Sequence, residues 1–190
     1  MPKTSIHGLR YTGLAAFLGG WLVILIAISR NSWFVFTENA FSDLGHPLAN
    51  DPWIFNTGMM LNGLLIILYG FYLIHVSFNK TGAVGGGFMM ITGVFLTLIG
   101  VFDEGSKNHY FVSVWFFTQG AITVLTWGLA LYREEKWRGM GWVFIGLSLV
   151  GTVLAVIVPW PSTAVVEAWG ILIMNIWVIL MTRISPGFDG

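Results

Sequence analysis

The sequence predicts an all-α integral membrane protein: an up-down bundle of six transmembrane helices with both termini in the cytoplasm. Three observations predict it. The chain is 56% hydrophobic and only 9% charged, whereas a soluble domain carries about 25% charged residues. Six apolar stretches are each long enough to cross a hydrocarbon core, which takes roughly 20 helical residues. The basic residues also divide unequally between the two sets of loops. Lys3, Arg10, Lys80, Arg133, Lys136, Arg138 and Arg183 fall on one side, and Arg30 and Lys107 on the other. Basic residues are retained in the cytoplasm, so the first side is inside.

The spans lie at about 9–29, 53–77, 82–102, 110–132, 139–158 and 163–182, in a single domain of 190 residues. The ends are expected to be short tails. The first apolar run is too long for a signal-peptide core and lacks a small-residue cleavage site, so it is expected to stay as a span. Residues 30–52 form the one long connector. Trp33, Phe34, Phe36, Phe41 and Leu44 make it too apolar for a solvated loop. A short interfacial helix is expected there, capped by Thr37 and ended by Gly45 before Pro47. Asp51-Pro52 opens the second span, with Asp as N-cap and Pro at the first helical position. A turn at Asn79-Lys80 leads to span three, and DEGSKNH is a tight polar turn before span four. REEKWRG is a solvated cytoplasmic turn. PWPS is rigid, and Ser162 can cap span six.

Short connectors make sequential spans antiparallel neighbours. Gly82 and Gly86, four apart, and Gly141, Gly146 and Gly151 offer small faces for close helix contact or for self-association of the chain. Trp33, Trp53, Trp137, Trp142 and Trp160 flank span ends, where indoles suit the headgroup layer. With no cysteine, disulfides, thiolate metal sites, iron–sulfur clusters and thioether-linked haem are excluded. No span holds a mid-membrane lysine, which excludes a retinal Schiff base. Zero net charge without a basic cluster argues against nucleic acid.

The outer side collects the acids: Glu38, Asp43, Asp51, Asp103, Glu104 and Glu167, with His46 and His109 among them. Glu167 lies about one helical turn beyond Ser162, inside the membrane boundary, and ionisable residues there tend to face an interior or a cavity. A carboxylate so placed needs a metal, a base or hydrogen-bond donors, or it serves the helix N-terminal dipole. Glu167, His109 and Asp43 are the candidate catalytic group, expected to converge around a polar cavity. Ser42, His46, Asp103 and Glu104 are candidate binding residues beside them. Asp43, His46, His109 and Glu167 are also candidate ligands for a divalent cation. The competing reading is a structural hydrogen-bond network. Deeper, Asn62, Gln119 and Asn175 sit near the middle of spans two, four and six, where amides usually bond across helices.

SDLG before WIFNTGMMLNG, then GVFDEGSKNHYFVSVWFF, then PSTAVVEAWG resemble the prokaryotic six-pass membrane family catalogued as domain of unknown function 998. The likeness covers nearly the whole chain. It rests on the Ser42-x-Leu44-Gly45 turn, the acidic turn with Asp103, Glu104 and His109, and the carboxylate of Glu167, in that order. Phe102 stands where family members often carry proline. A fainter resemblance reaches the Frag/DRAM/Sfk group of six-pass proteins, some implicated in lipid-anchor remodelling. The resemblance implies a six-helix integral protein without an assigned activity.

The function expected is therefore a cell-membrane protein that senses lipid, assembles with partners or processes lipid at its outer face. A cation channel or transporter and a metal-assisted lipid hydrolase are the alternatives. Orientation is directly testable because the chain is cysteine-free. Single cysteines at Asn50 and Ser106 are expected to react with an impermeant thiol reagent on intact cells, and one at Lys136 is not. The opposite pattern inverts the topology.

Overall fold

The structure, a computed structural model, describes residues 3–188; the extreme tail residues on either side lie outside the described residues. A short helix α1 (Lys3–Gly8) runs into α2 (Arg10–Arg30), followed by α3 (Pro52–His75), α4 (Lys80–Val101), α5 (His109–Tyr132), α6 (Arg138–Ile157) and α7 (Thr163–Ile184). Among the described residues, six helices are long and apolar enough to cross a membrane. This is a multi-pass membrane bundle.

Capping chemistry sets most of the helix starts. The Asn79 side chain accepts the Gly82 N–H at 2.9 Å and opens α4. Ser162 accepts the Val165 N–H at 3.2 Å and opens α7, as its position predicts. Asp51 departs from expectation. It occupies the cap position before Pro52, but its φ of 51° is left-handed and its side chain caps no amide. Its carboxylate instead pairs with Arg30 at 2.9 Å. Beside it, the Asn31 side chain donates to the Asn50 carbonyl at 3.0 Å and accepts the Asn50 N–H at 2.8 Å. Both ends of the long connector are thus fastened to each other, and that closure takes the place of a side-chain cap.

Consecutive spans pack side by side, α2 on α3, α3 on α4, α4 on α5 and α5 on α6, while α7 closes the ring between α6 and α2. The closest contact is between α3 and α4. Gly63 and Gly70 on α3 meet Gly93 and Gly86 on α4, and Gly100 meets the backbone of Asn56. A Cβ on Gly63 would lie 2.6 Å from the Gly93 carbonyl oxygen, and one on Gly93 would lie 2.6 Å from the Gly63 oxygen. Glycine every seven residues keeps one backbone facing the other along the seam, and small residues are what permit this approach in lipid.

The expected glycine faces are used differently. Gly86 meets α3, whereas Gly82 and Gly85 meet the Trp127 ring of α5, because α4 is wedged between two neighbours. Gly141 packs on α5, Gly151 packs on Ile173 of α7, and Gly146 meets nothing within 4 Å. The faces offered for self-association are therefore largely consumed within the chain.

Two core layers result. One holds Tyr69, Tyr72, Leu73, Trp127, Phe144, Trp177 and Met181 toward the end where the termini lie. The other holds Ile24, Phe41, Leu44, Phe55, Leu96, Ile99 and Phe116 toward the long connector. A cavity sits where they meet.

Gly93→Val is expected to wedge α4 off α3 and destabilise the fold by about 1–3 kcal/mol, the usual cost of overpacking. Gly87→Val, at a position with open space around it, is expected to leave the melting temperature in detergent within a degree or two of wild type.

Candidate functional site

The long connector folds back over the bundle, as its aromatic content predicts. Phe41 anchors it. Its ring is buried and meets Trp21 edge-on and Phe34 and Phe36 by stacking, with centroids 5.8–6.2 Å apart. Its backbone N–H donates to Glu167 Oε2 at 2.8 Å. Two further bonds tie the connector to the start of α7: Ser162 Oγ donates to the Phe36 carbonyl at 2.6 Å, and the Ala164 N–H donates to the Asn39 carbonyl at 2.9 Å. On its other flank, Pro47 lies against Gly105 in the turn between α4 and α5.

The helix expected in this segment is one 3-10 turn, Phe41–Gly45. Gly45 ends it as predicted, but Thr37 does not cap it. Ala40 holds the cap position, and Asp43 Oδ2 reaches back to accept the Ala40 N–H at 2.8 Å. A carboxylate three residues on can serve the first amide as well as a cap hydroxyl can, which is why Thr37 is not needed. His46 is occupied locally too, its Nδ1 accepting the Leu48 N–H at 3.1 Å. Ser42 is buried and lines the central cavity.

The polar turn 103–108 has the same character. Asp103 Oδ1 accepts the Gly105 N–H at 3.1 Å. His109 is buried at the head of α5. Its Nδ1 meets the Phe102 carbonyl at 2.7 Å, and since a carbonyl only accepts, Nδ1 carries the proton there. Its Nε2 meets Glu104 at 2.9 Å and Ser113 Oγ at 3.1 Å. This is not a hydrolase triad. In a triad the carboxylate and the hydroxyl engage opposite ring nitrogens, whereas here both crowd onto Nε2.

Glu167, His109 and Asp43 therefore gather at one end of the bundle but are held by different partners rather than by one another. The carboxylates of Glu104 and Asp43 are close enough to act on Glu167 electrostatically. The divalent-cation expectation is corrected: among the described residues, no group of three or more His, Cys, Asp or Glu side chains is placed to hold a metal ion. His46 and Asp43 are turned to backbone amides, and His109 is turned to Phe102 and Glu104.

The amide layer also departs from expectation. Asn62 does not bridge helices; its Nδ2 donates to Gly58 O in its own helix at 2.9 Å. Asn62 Oδ1, Gln119 Oε1 and Asn175 Nδ2 are buried without a protein partner. Asn62 and Asn175 line the central cavity, together with Ser42, Ser113 and Glu167.

Beside this cavity runs a groove between α5, α6 and α7, from Tyr110, Val156 and Thr163 at the connector end to Leu125 and Ser148. It has a volume of about 600 Å³. Ser113, Phe117, Glu167 and Met174 line both spaces and form the wall between them. Sequence reasoning missed Ser113. Its only signal was a hydroxyl four residues after His109 on a helix, a spacing that puts both on one face. It also missed Asn31, whose clamp joins residues nineteen apart in the chain.

Glu167→Leu is expected to strand the Phe41 amide, lower stability by about 1–3 kcal/mol and make residues 31–51 sensitive to protease. Glu167→Gln keeps an accepting carbonyl and is expected to stay within about 1 kcal/mol of wild type in the same melts.

No curated protein and no solved structure matches the chain. A family pattern does match, over residues 14–184, which takes in all of the connector, the polar turn and Glu167. The chain belongs to the family described as Protein of unknown function (DUF998).

Proposed function

We propose that this protein is a non-catalytic lipid-binding protein of the cell membrane, holding one lipid in the groove between α5, α6 and α7. The observation that carries this reading is the pairing of an apolar groove with a small polar head. Glu167 is the single charged residue along the groove, with Ser113 beside it at the connector end. Gly120, Ala121, Gly151 and Gly170 keep the floor low. From Tyr110 to Leu125 the groove runs for roughly 22 Å of helix. One leaflet contributes about 15 Å of a hydrocarbon core about 30 Å thick. An acyl chain fits that length, and its polar end then meets Ser113 and Glu167 at the headgroup boundary.

The positive-inside count puts this end in the outer leaflet. An anionic headgroup is disfavoured there, since no basic residue lines the groove. A neutral or cationic head is favoured by the carboxylate. The same apolar walls argue against an ion path, which needs a succession of polar groups to replace hydration. The separate engagements of Asp43, His46, His109 and Glu167 argue against metal-assisted hydrolysis.

Thr152, exposed on the groove wall, provides the test. Thr152→Trp is expected to abolish retention of co-purifying lipid in native mass spectra and crosslinking by a photoactivatable phosphatidylethanolamine. Leu64→Trp, on lipid-facing α3 away from the groove, is expected to leave both unchanged. Equal retention by the two variants would sink the proposal.

A further inference from the structure

The central cavity is a separate space with a different chemistry. It lies among α2, α3, α4, α5 and α7 at the junction of the two core layers, with a volume of about 110 Å³. Its walls are apolar except for a few groups. Ser42, Ser113 and Glu167 stand at the connector end. Asn62 and Asn175 stand deeper.

The two asparagines are 4% and 8% exposed, and each brings an unpartnered atom to the cavity lining. The Gly58 carbonyl at 2.9 Å takes the Asn62 N–H, which leaves Oδ1 as the free atom, an acceptor. The free atom of Asn175 is Nδ2, a donor. Buried polar groups are nearly always satisfied. One free donor and one free acceptor in the same apolar space define what would satisfy them.

We propose that the cavity binds a small neutral alcohol, whose hydroxyl accepts from Asn175 Nδ2 and donates to Asn62 Oδ1. Charge and hydrogen bonding select this class. No basic residue lines the cavity, so nothing would balance an anion. A cation cannot accept from Asn175. An ether or ketone cannot donate to Asn62. A primary amide brings two N–H donors and leaves one unpaired among hydrocarbon walls. A single hydroxyl does both tasks with one oxygen.

Size narrows the class further. An apolar cavity of about 150 Å³ takes benzene, so this slightly smaller one takes a body on the order of six carbons. Met59, Ile66 and Met174 supply apolar wall for it. A phospholipid or a sterol is too large. The site is thus independent of the lipid groove, from which Ser113, Phe117, Glu167 and Met174 separate it.

Photolabelling of the detergent-purified protein with a diazirine-bearing hexanol, mapped by mass spectrometry, tests the proposal. The expected result is label on cavity residues such as Met59 and Ile66, reduced at least tenfold by excess hexanol and not by its methyl ether. The Asn62→Leu/Asn175→Leu double variant is expected to lose label at least tenfold, while Thr152→Trp labels as wild type does. Label outside the cavity, equal competition by the ether, or no saturable label, as in a cavity filled by water alone, overturns it. Should the double variant fail to fold, the ether competition on the wild-type protein decides by itself.

Discussion

The close approach of α3 and α4 is the contact on which the rest of the bundle depends. Helices in lipid gain little from the hydrophobic effect, because lipid tails are as apolar as leucine; they associate through packing and hydrogen bonds. Gly63 facing Gly93 and Gly70 facing Gly86 bring two backbones together with no side chain between them. Gly85 extends the assembly by accepting the edge of Trp127, and Gly128 meets Gly141 to add α6. The result is a slab of four helices. α2 and α7 complete the ring with bulkier contacts, and the void lies on their side of the slab, where Phe17, Trp21 and Met174 line it.

The connector end is closed by polar contacts that have little to do with catalysis. Asp43, Asp103, His46 and Glu167 each accept a backbone N–H. Acidic side chains near exposed amides are a common way to organise turns. Phe41 is the joint between the two systems. Its ring belongs to the core, and its N–H belongs to Glu167. A carboxylate at that depth in the membrane thus has an architectural task, holding a lid of aromatic residues against the start of α7.

What remains for ligands is a short set of groups: Ser113 and Glu167 on the wall shared by the cavity and the groove, and Asn62 and Asn175 within the cavity. The groove and the cavity differ in scale and in polarity, about 600 Å³ beside about 110 Å³. The groove has one polar end and suits a molecule anchored at a headgroup. The cavity has its free donor and acceptor inside and suits a molecule that buries its polar atom. Binding specificity at such sites comes from a few placed polar groups among apolar walls.

The sequence by itself determined the six spans, the multi-pass character, the cap at Ser162, the folded-back connector and the depth of Glu167. Each follows from local quantities: the length of an apolar run, a hydroxyl before a helix, aromatic residues that cannot stay in water. Tertiary structure decided the partners. Thr37 and Asp51 look like caps in isolation, yet Asp43 and the Arg30 pairing replace them, because groups distant in the chain came within reach. The amides at 62 and 175 look like helix bridges, yet the glycine seam sets helix spacing first and leaves a cavity between them. Gly82 and Gly86 look like one face, yet they serve different neighbours. A residue's type and its spacing limit what it can do, but which atom it meets depends on where the other helices stand.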